Sequence, residues 1–166
     1  YEYDARAMGF RLDHYGGREY QFLIPRKGWR IQRRNFYRLP VQIEARCRQV
    51  KEERVANSVA LAPQGTPNDC LIRDISGGAL CVNMNDYLEV GNFFEIDFSL
   101  PLEPHGENVK EIIKVVRAKL IRNKPGAGDY AYSYGGYFFS IEENARNEIL
   151  RFVLKKQIEF FGRARK

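Results

Sequence analysis

In the stretch Cys70-Leu-Ile-Arg-Asp-Ile-Ser-Gly-Gly-Ala-Leu-Cys-Val82, an apolar start at Cys70 to Ile72 runs through Arg73-Asp74-Ile75 to Ser76-Gly77-Gly78, and a second apolar run begins at Ala79. Two short apolar runs around a Gly pair predict two strands joined by a tight corner. Upstream, Val41, Ile43, Ala45 and Cys47 alternate with polar residues as one half-buried strand does. Downstream come Phe93 to Leu100, closed by Pro101, then a long alternating run from Val109 to Ile121 and a last strand from Tyr130 to Ile141. Residues 51–68 are charged and then Ala/Pro/Gly-rich, and predict a long loop or excursion; residues 101–108 and Lys124 to Gly128 predict connections. The final element has another period. Leu150, Val153, Leu154, Ile158 and Phe161 form a helical stripe, Ser140 and Glu143 have capping-box spacing, and Gly162 predicts the stop. Roughly six regularly spaced strands and one helix predict a mostly β fold. Its form is a six-stranded antiparallel β-barrel with a C-terminal α-helix.

An N-terminal β-hairpin segment is expected before this barrel. Residues 1–24 alternate through Tyr3, Ala5, Ala7, Phe10 and Leu12, turn at Gly16-Gly17, and resume at Tyr20, Phe22 and Ile24. So short a segment cannot form its own core, and the chain opens at Tyr1 without Met. It reads as the end of a preceding β-domain, with residues 25–38 as a linker and 39–166 as the barrel and helix.

The charge is concentrated. The chain has 166 residues, 27 basic and 21 acidic, for a net charge of +6. Arg26, Lys27, Arg30, Arg33, Arg34 and Arg38 fall in one short segment without an acid, and the remaining 21 basic residues balance the 21 acids. A protein that coats DNA spreads its charge more widely. No apolar run approaches the roughly 20 residues of a membrane-spanning helix. Cys47, Cys70 and Cys81 lack CxxC spacing and read as small buried hydrophobes in a reducing compartment. With His14 and His105 the only histidines, no metal site is expected. There is no Gly-x-Ser-x-Gly, P-loop or GxGxxG, and nothing points to an enzyme or a catalytic residue.

Two features carry chemistry. In Gln32-Arg33-Arg34-Asn35-Phe36-Tyr37-Arg38 the arginine fork matches phosphate oxygens bidentately, grips guanine O6/N7 or stacks on a base. In Asp74-Ile75-Ser76-Gly77-Gly78-Ala79 a carboxylate at a strand end can accept from the N–H edge of guanine, a hydroxyl stands beside it, and two glycines permit close approach. Singly, the first reads equally well as a basic linker, and the second reads better as a plain turn. Together they describe a small anionic ligand containing guanine.

Arg34-Asn-Phe-Tyr-Arg38 matches RxxxR, and Asp74-Ile-Ser76 matches the start of [D/N]xSxxG. In this order, on a barrel with a C-terminal helix, the pair resembles the PilZ domain, a receptor for cyclic di-GMP, over about residues 31–161. The Gln-Arg-Arg lead-in and the strands before it resemble more narrowly the YcgR-type flagellar brake proteins. The resemblance implies that Arg34 and Arg38 meet phosphates and guanine faces and that Arg33 favours an intercalated ligand dimer. Asp74, Ser76 and Gly78 would meet a guanine edge, with Gln32, Gly77 and Gly136 as further candidates. Ala79 stands where the family's last glycine falls, which implies weakened binding. It also implies a cytoplasmic protein without resident cofactor, whose partners are cyclic di-GMP and a flagellar motor or other protein, and whose output is motility or another surface-associated behaviour. The alternative is a small basic β-barrel binding single-stranded nucleic acid. A third reading is an interaction module whose helix, with Arg163, Arg165 and Lys166, meets an acidic partner or an anionic membrane.

Overall fold

A computed structural model of the chain describes residues 6–12, 18–23, 35–55, 58–102, 106–122 and 129–163. The chain divides into two compact units, Tyr1–Asn35 and Phe36–Lys166. In the first, β1 (Arg6–Leu12) and β2 (Arg18–Leu23) form an antiparallel two-stranded sheet, the expected hairpin. Its predicted turn at residues 16–17 lies outside the described residues, as does most of the arginine segment, including Gln32, Arg33 and Arg34.

The second unit holds β3 (Leu39–Val55), β4 (Ser58–Pro63), β5 (Asn68–Ile75), β6 (Ala79–Met84), β7 (Phe93–Leu100), β8 (Glu107–Leu120), β9 (Tyr132–Phe138) and α1 (Glu143–Arg163). Strand order is β4-β3-β5-β6-β9-β8-β7, and β3 also pairs with β7. Six antiparallel strands thereby close a barrel, and β4 extends from it. The length of β3 makes this possible, because one end of the strand pairs with β5, its middle also with β7, and its far end with β4. Closure removes the exposed edges that an open sheet would present. Opposite charges lie across the closing seam. Arg48 stands opposite Glu95, donating from Nε at 2.8 Å, and Lys110 approaches the same carboxylate at 3.5 Å.

Alternation builds the core. Ile43, Ala45 and Cys47 point inward from β3, and Ile72, Ile75, Leu80, Val82, Phe94, Ile96, Ile113, Val115 and Tyr134 join them. Each large apolar side chain removed from water contributes on the order of 1.5–3 kcal/mol. The Tyr134 hydroxyl accepts from the Leu88 amide at 2.9 Å and donates to the Asp86 carbonyl at 3.0 Å, which satisfies it inside the barrel. All three cysteines are free and buried. A hydrogen bond with Cys47, together with burial, pushes the Cys70 thiol up.

Three expectations need correction. Residues 51–68 are not a loop, since β3 runs on to Val55 and pairs with β4 from Val50↔Pro63 to Val55↔Ser58. This ribbon projects beyond the barrel, and Lys51, Glu52 and Glu53 are exposed, so backbone pairing shapes it without the apolar alternation that marks a strand with a buried face. The helical stripe is also displaced. Ile149, Phe152 and Val153 are buried, whereas Leu154 is 57% exposed and Ile158 is 72% exposed, because only the first half of α1 lies on the barrel core. Finally, α1 continues through Gly162 to Arg163, since a glycine ends a helix only where the backbone turns left-handed.

At the other end of α1, Glu111 on β8 accepts from the Glu142 amide at 3.3 Å, the bond a capping-box carboxylate would make from within the helix. Glu111 is buried, and burial pushes its carboxyl up; the Glu142 amide pulls it down, and the Glu142 charge pushes it up. The folded protein therefore holds this proton more tightly than the unfolded chain. That contribution is full below the ordinary carboxylate value and is lost as pH rises through the folded one. Glu111→Gln keeps an acceptor for the amide and loses the buried charge. It should raise the thermal midpoint near neutrality, with the difference closing on acidification, in melts from roughly pH 8 to pH 4.

A candidate ligand site at the Asp74–Ala79 corner

The corner between β5 and β6 is closed by Ser76. Its amide donates to the Ala79 carbonyl at 2.9 Å, its hydroxyl donates to the same carbonyl at 3.0 Å, and it accepts from the Ala79 amide at 3.2 Å. Ser76 is buried, and its hydroxyl is engaged within the turn. This is the side-chain turn mimicry that favours serine at such corners.

Gly77 and Gly78 permit close approach of side chains, and neither has a left-handed backbone. A Cβ on Gly77 would meet Leu150 Cδ2 at 2.7 Å and Phe36 Cδ1 at 3.3 Å, and one on Gly78 would meet the Phe36 ring at 3.2 Å. The ring that occupies this space comes from the middle of Arg34-Asn-Phe-Tyr-Arg38. The structure thus seats the centre of the RxxxR segment against the Ser76–Ala79 corner. In an otherwise polar, basic segment Phe36 was a readable anchor signal, whereas Leu150 was not, because it comes from the distant helix.

Arg38 and Asp74 arrive through β3 and β5. Leu39 pairs with Ile75 and Pro40 with Asp74, so Arg38 enters the ladder at the Ser76 end. The β3–β5 register shifts between Pro40 and Ile43, and the β5–β6 register shifts between Ile72 and Asp74. Bulges of this kind re-aim side chains next to binding sites. Arg38 is half-buried. The Asp74 oxygen Oδ1 is buried and has no hydrogen-bond partner among the described residues. An unsatisfied buried acceptor costs about 1–3 kcal/mol, so its retention calls for an explanation other than folding.

Gly136 belongs elsewhere. It pairs with Leu80 and Val115, both buried, and a Cβ there would collide with Ile113 Cγ2 and lie 2.8 Å from the Lys114 carbonyl. It relieves crowding inside the barrel wall and does not face the corner. Tyr132 packs against both Tyr87 and Tyr134, meeting the Tyr87 ring edge-on at 5.6 Å. Among the described residues no cluster of His, Cys, Asp and Glu could hold a metal ion, and no helix is long and apolar enough to cross a membrane.

The chain matches the PilZ domain family model over residues 32–155 and belongs to that family. Its fold is similar to the Bacillus subtilis inhibitor of motility MotI/DgrA, with TM-score 0.65 and 19% identity over 93% of this chain and 66% of that one. It is also similar to the PilZ domain with c-di-GMP of YcgR from Escherichia coli, with TM-score 0.50 and 13% identity over 81% and 99%. The c-di-GMP-dependent transcription regulatory factor MrkH aligns with TM-score 0.52 and 18% identity over 95% and 64%. The chain thus spans just under two thirds of the MotI and MrkH chains. No curated protein matches it in sequence.

Proposed function

We propose that the protein is a receptor for cyclic di-GMP and acts as an effector rather than an enzyme. The carrying observation is the buried Asp74 Oδ1, without a partner among the described residues, beside a corner on which the centre of RxxxR is seated. A carboxylate is an acceptor with no donor of its own, and guanine offers it two adjacent N–H donors on one edge where adenine offers a donor and an acceptor. Arg38, with Arg33 and Arg34, takes the phosphates and a guanine face. Gly77 and Gly78 admit Phe36 against the corner, Gln32 is a further candidate contact by its place in the motif, and Ser76 holds the corner in shape. No residue of this site needs a cofactor.

The proposed consequence of binding follows from charge. Six like charges between Arg26 and Arg38 repel one another, and a ligand with two phosphates neutralises part of that repulsion. Binding would draw the segment onto the barrel and change the disposition of the N-terminal unit, so that ligand occupancy becomes a domain rearrangement. Residues 1–24, 25–38 and 39–166 are then the end of a YcgR-type first β-domain, its linker and the receptor barrel. The fold likeness to an inhibitor of motility supports a motility output, with a flagellar motor or other protein as partner in the cytoplasm.

Calorimetric titration with cyclic di-GMP, cyclic di-AMP and GTP tests the reading. Selective binding of cyclic di-GMP is expected, with two ligands per chain if Arg33 supports a stacked pair. Equal affinity for the adenine analogue would remove Asp74 from the site. Binding to many single-stranded oligonucleotides that collapses with salt would favour the nucleic-acid alternative instead.

A further inference from the structure

Asp74 begins a row that continues around the outside of the barrel. Its partner on β6 is Cys81, whose partner on β9 is Gly135, whose partner on β8 is Arg117. Residues directly opposite in antiparallel strands point to the same side of a sheet. The next row, Ile75, Leu80, Gly136 and Val115, points into the core. The register shift between Val115 and Arg117 turns Arg117 outward, where regular alternation from the buried Val115 would turn it in.

The Arg117 side chain lies flat along this row. Gly135 leaves room for it, since a Cβ there would sit 3.4 Å from Nε and 3.5 Å from Nη2. The guanidinium reaches Cys81, with Nη2 3.9 Å from Sγ. Neighbouring strands are about 4.8 Å apart, so an arginine rooted on β8 has crossed β9 and stops one strand short of Asp74. A thiol is a weak acceptor for so strong a donor, and no carboxylate pairs with Arg117 among the described residues. Lys114 on the same strand is otherwise engaged, its Nζ 5.1 Å from the centre of the Phe93 ring. The residues between Arg117 and Asp74 in this row are small, Cys81 and Gly135.

We propose that the ligand site extends along this row and that Arg117 is its additional arginine, gripping a phosphate of the nucleotide whose base edge Asp74 accepts. The inference rests on the receptor reading above. A carboxylate for the donor edge of a base and a fork for anionic oxygens therefore stand one strand apart on the same outer row.

Cyclic di-GMP is titrated into wild type, Arg117→Ala, Arg117→Lys and Lys119→Ala, and each ligand-free protein is melted. Lys119 is an exposed cation two residues along β8, opposite Ser133, and reports the general effect of losing a charge. Arg117→Ala should raise Kd tenfold or more and Arg117→Lys by less, because lysine keeps the charge without the fork. Lys119→Ala should leave Kd unchanged, and all four melting midpoints should agree. Wild-type binding with unchanged Kd in Arg117→Ala overturns the assignment and leaves the receptor reading standing. Equal losses in Arg117→Ala and Lys119→Ala overturn it in favour of a diffuse field. Absence of wild-type binding overturns both readings.

Discussion

Asp74→Ala is expected to lower affinity for cyclic di-GMP and to raise the stability of the ligand-free protein. The two effects have one cause. Oδ1 is buried without a partner among the described residues, so removing it relieves a desolvation cost of about 1–3 kcal/mol in the empty protein. The same deletion leaves the guanine N–H donors facing a void, and hydrogen bonds to charged groups are worth about 1.5–3 kcal/mol, a loss of roughly tenfold to hundredfold in Kd. Calorimetry gives the affinity and urea denaturation the stability. A purely structural Asp74 would give the opposite sign in the second measurement, and an unchanged Kd would remove it from the site. Arg38→Ala makes a useful comparison, because it should lose about as much affinity with little change in stability, Arg38 being only half-buried.

Gly136→Val is expected to give the largest loss of stability. The position is buried between Leu80 and Val115 in the barrel wall, and even a methyl there meets Ile113 and the Lys114 carbonyl. The backbone carbonyl cannot rotate away, because β8 and β9 are paired at this level. Overpacking a well-packed core costs typically about 1–3 kcal/mol. Valine adds two further methyl groups and belongs at or above the top of that range, while Gly136→Ala falls within it. Denaturation midpoints check the order of wild type, alanine and valine. Folded fractions of the variants should bind ligand normally, since Gly136 faces away from the Asp74 row.

These contrasts show which parts of the molecule were legible in the sequence. The barrel was, because Ile43, Ala45 and Cys47, or Phe94, Ile96 and Phe98, alternate with polar partners in any strand with one buried face. The corner was too, because Ser76-Gly77-Gly78 is local chemistry. The β3–β4 ribbon was not, since strands that bury no face carry no alternation. The far half of the helical stripe misled because Leu154 and Ile158 share a period with Val153 without sharing its contact. Arg117 was invisible for a deeper reason. Its place depends on a one-residue register shift and on three successive strand pairings, none of which is encoded near residue 117. The glycines illustrate the same limit, since Gly77 and Gly136 look alike in sequence while one fits beneath Phe36 and the other inside the barrel wall.

The alternation along β6 and β9 has a consequence for how such a protein can change. Leu80, Val82, Tyr134 and Gly136 hold the barrel together, whereas Ala79, Cys81, Ser133 and Gly135 pave its outside. Substitutions at the second set alter what lies on the wall and leave the interior alone. Ligand affinity can therefore drift, sharpen or disappear over many single changes while the scaffold persists, and a barrel that has lost its ligand altogether would still fold.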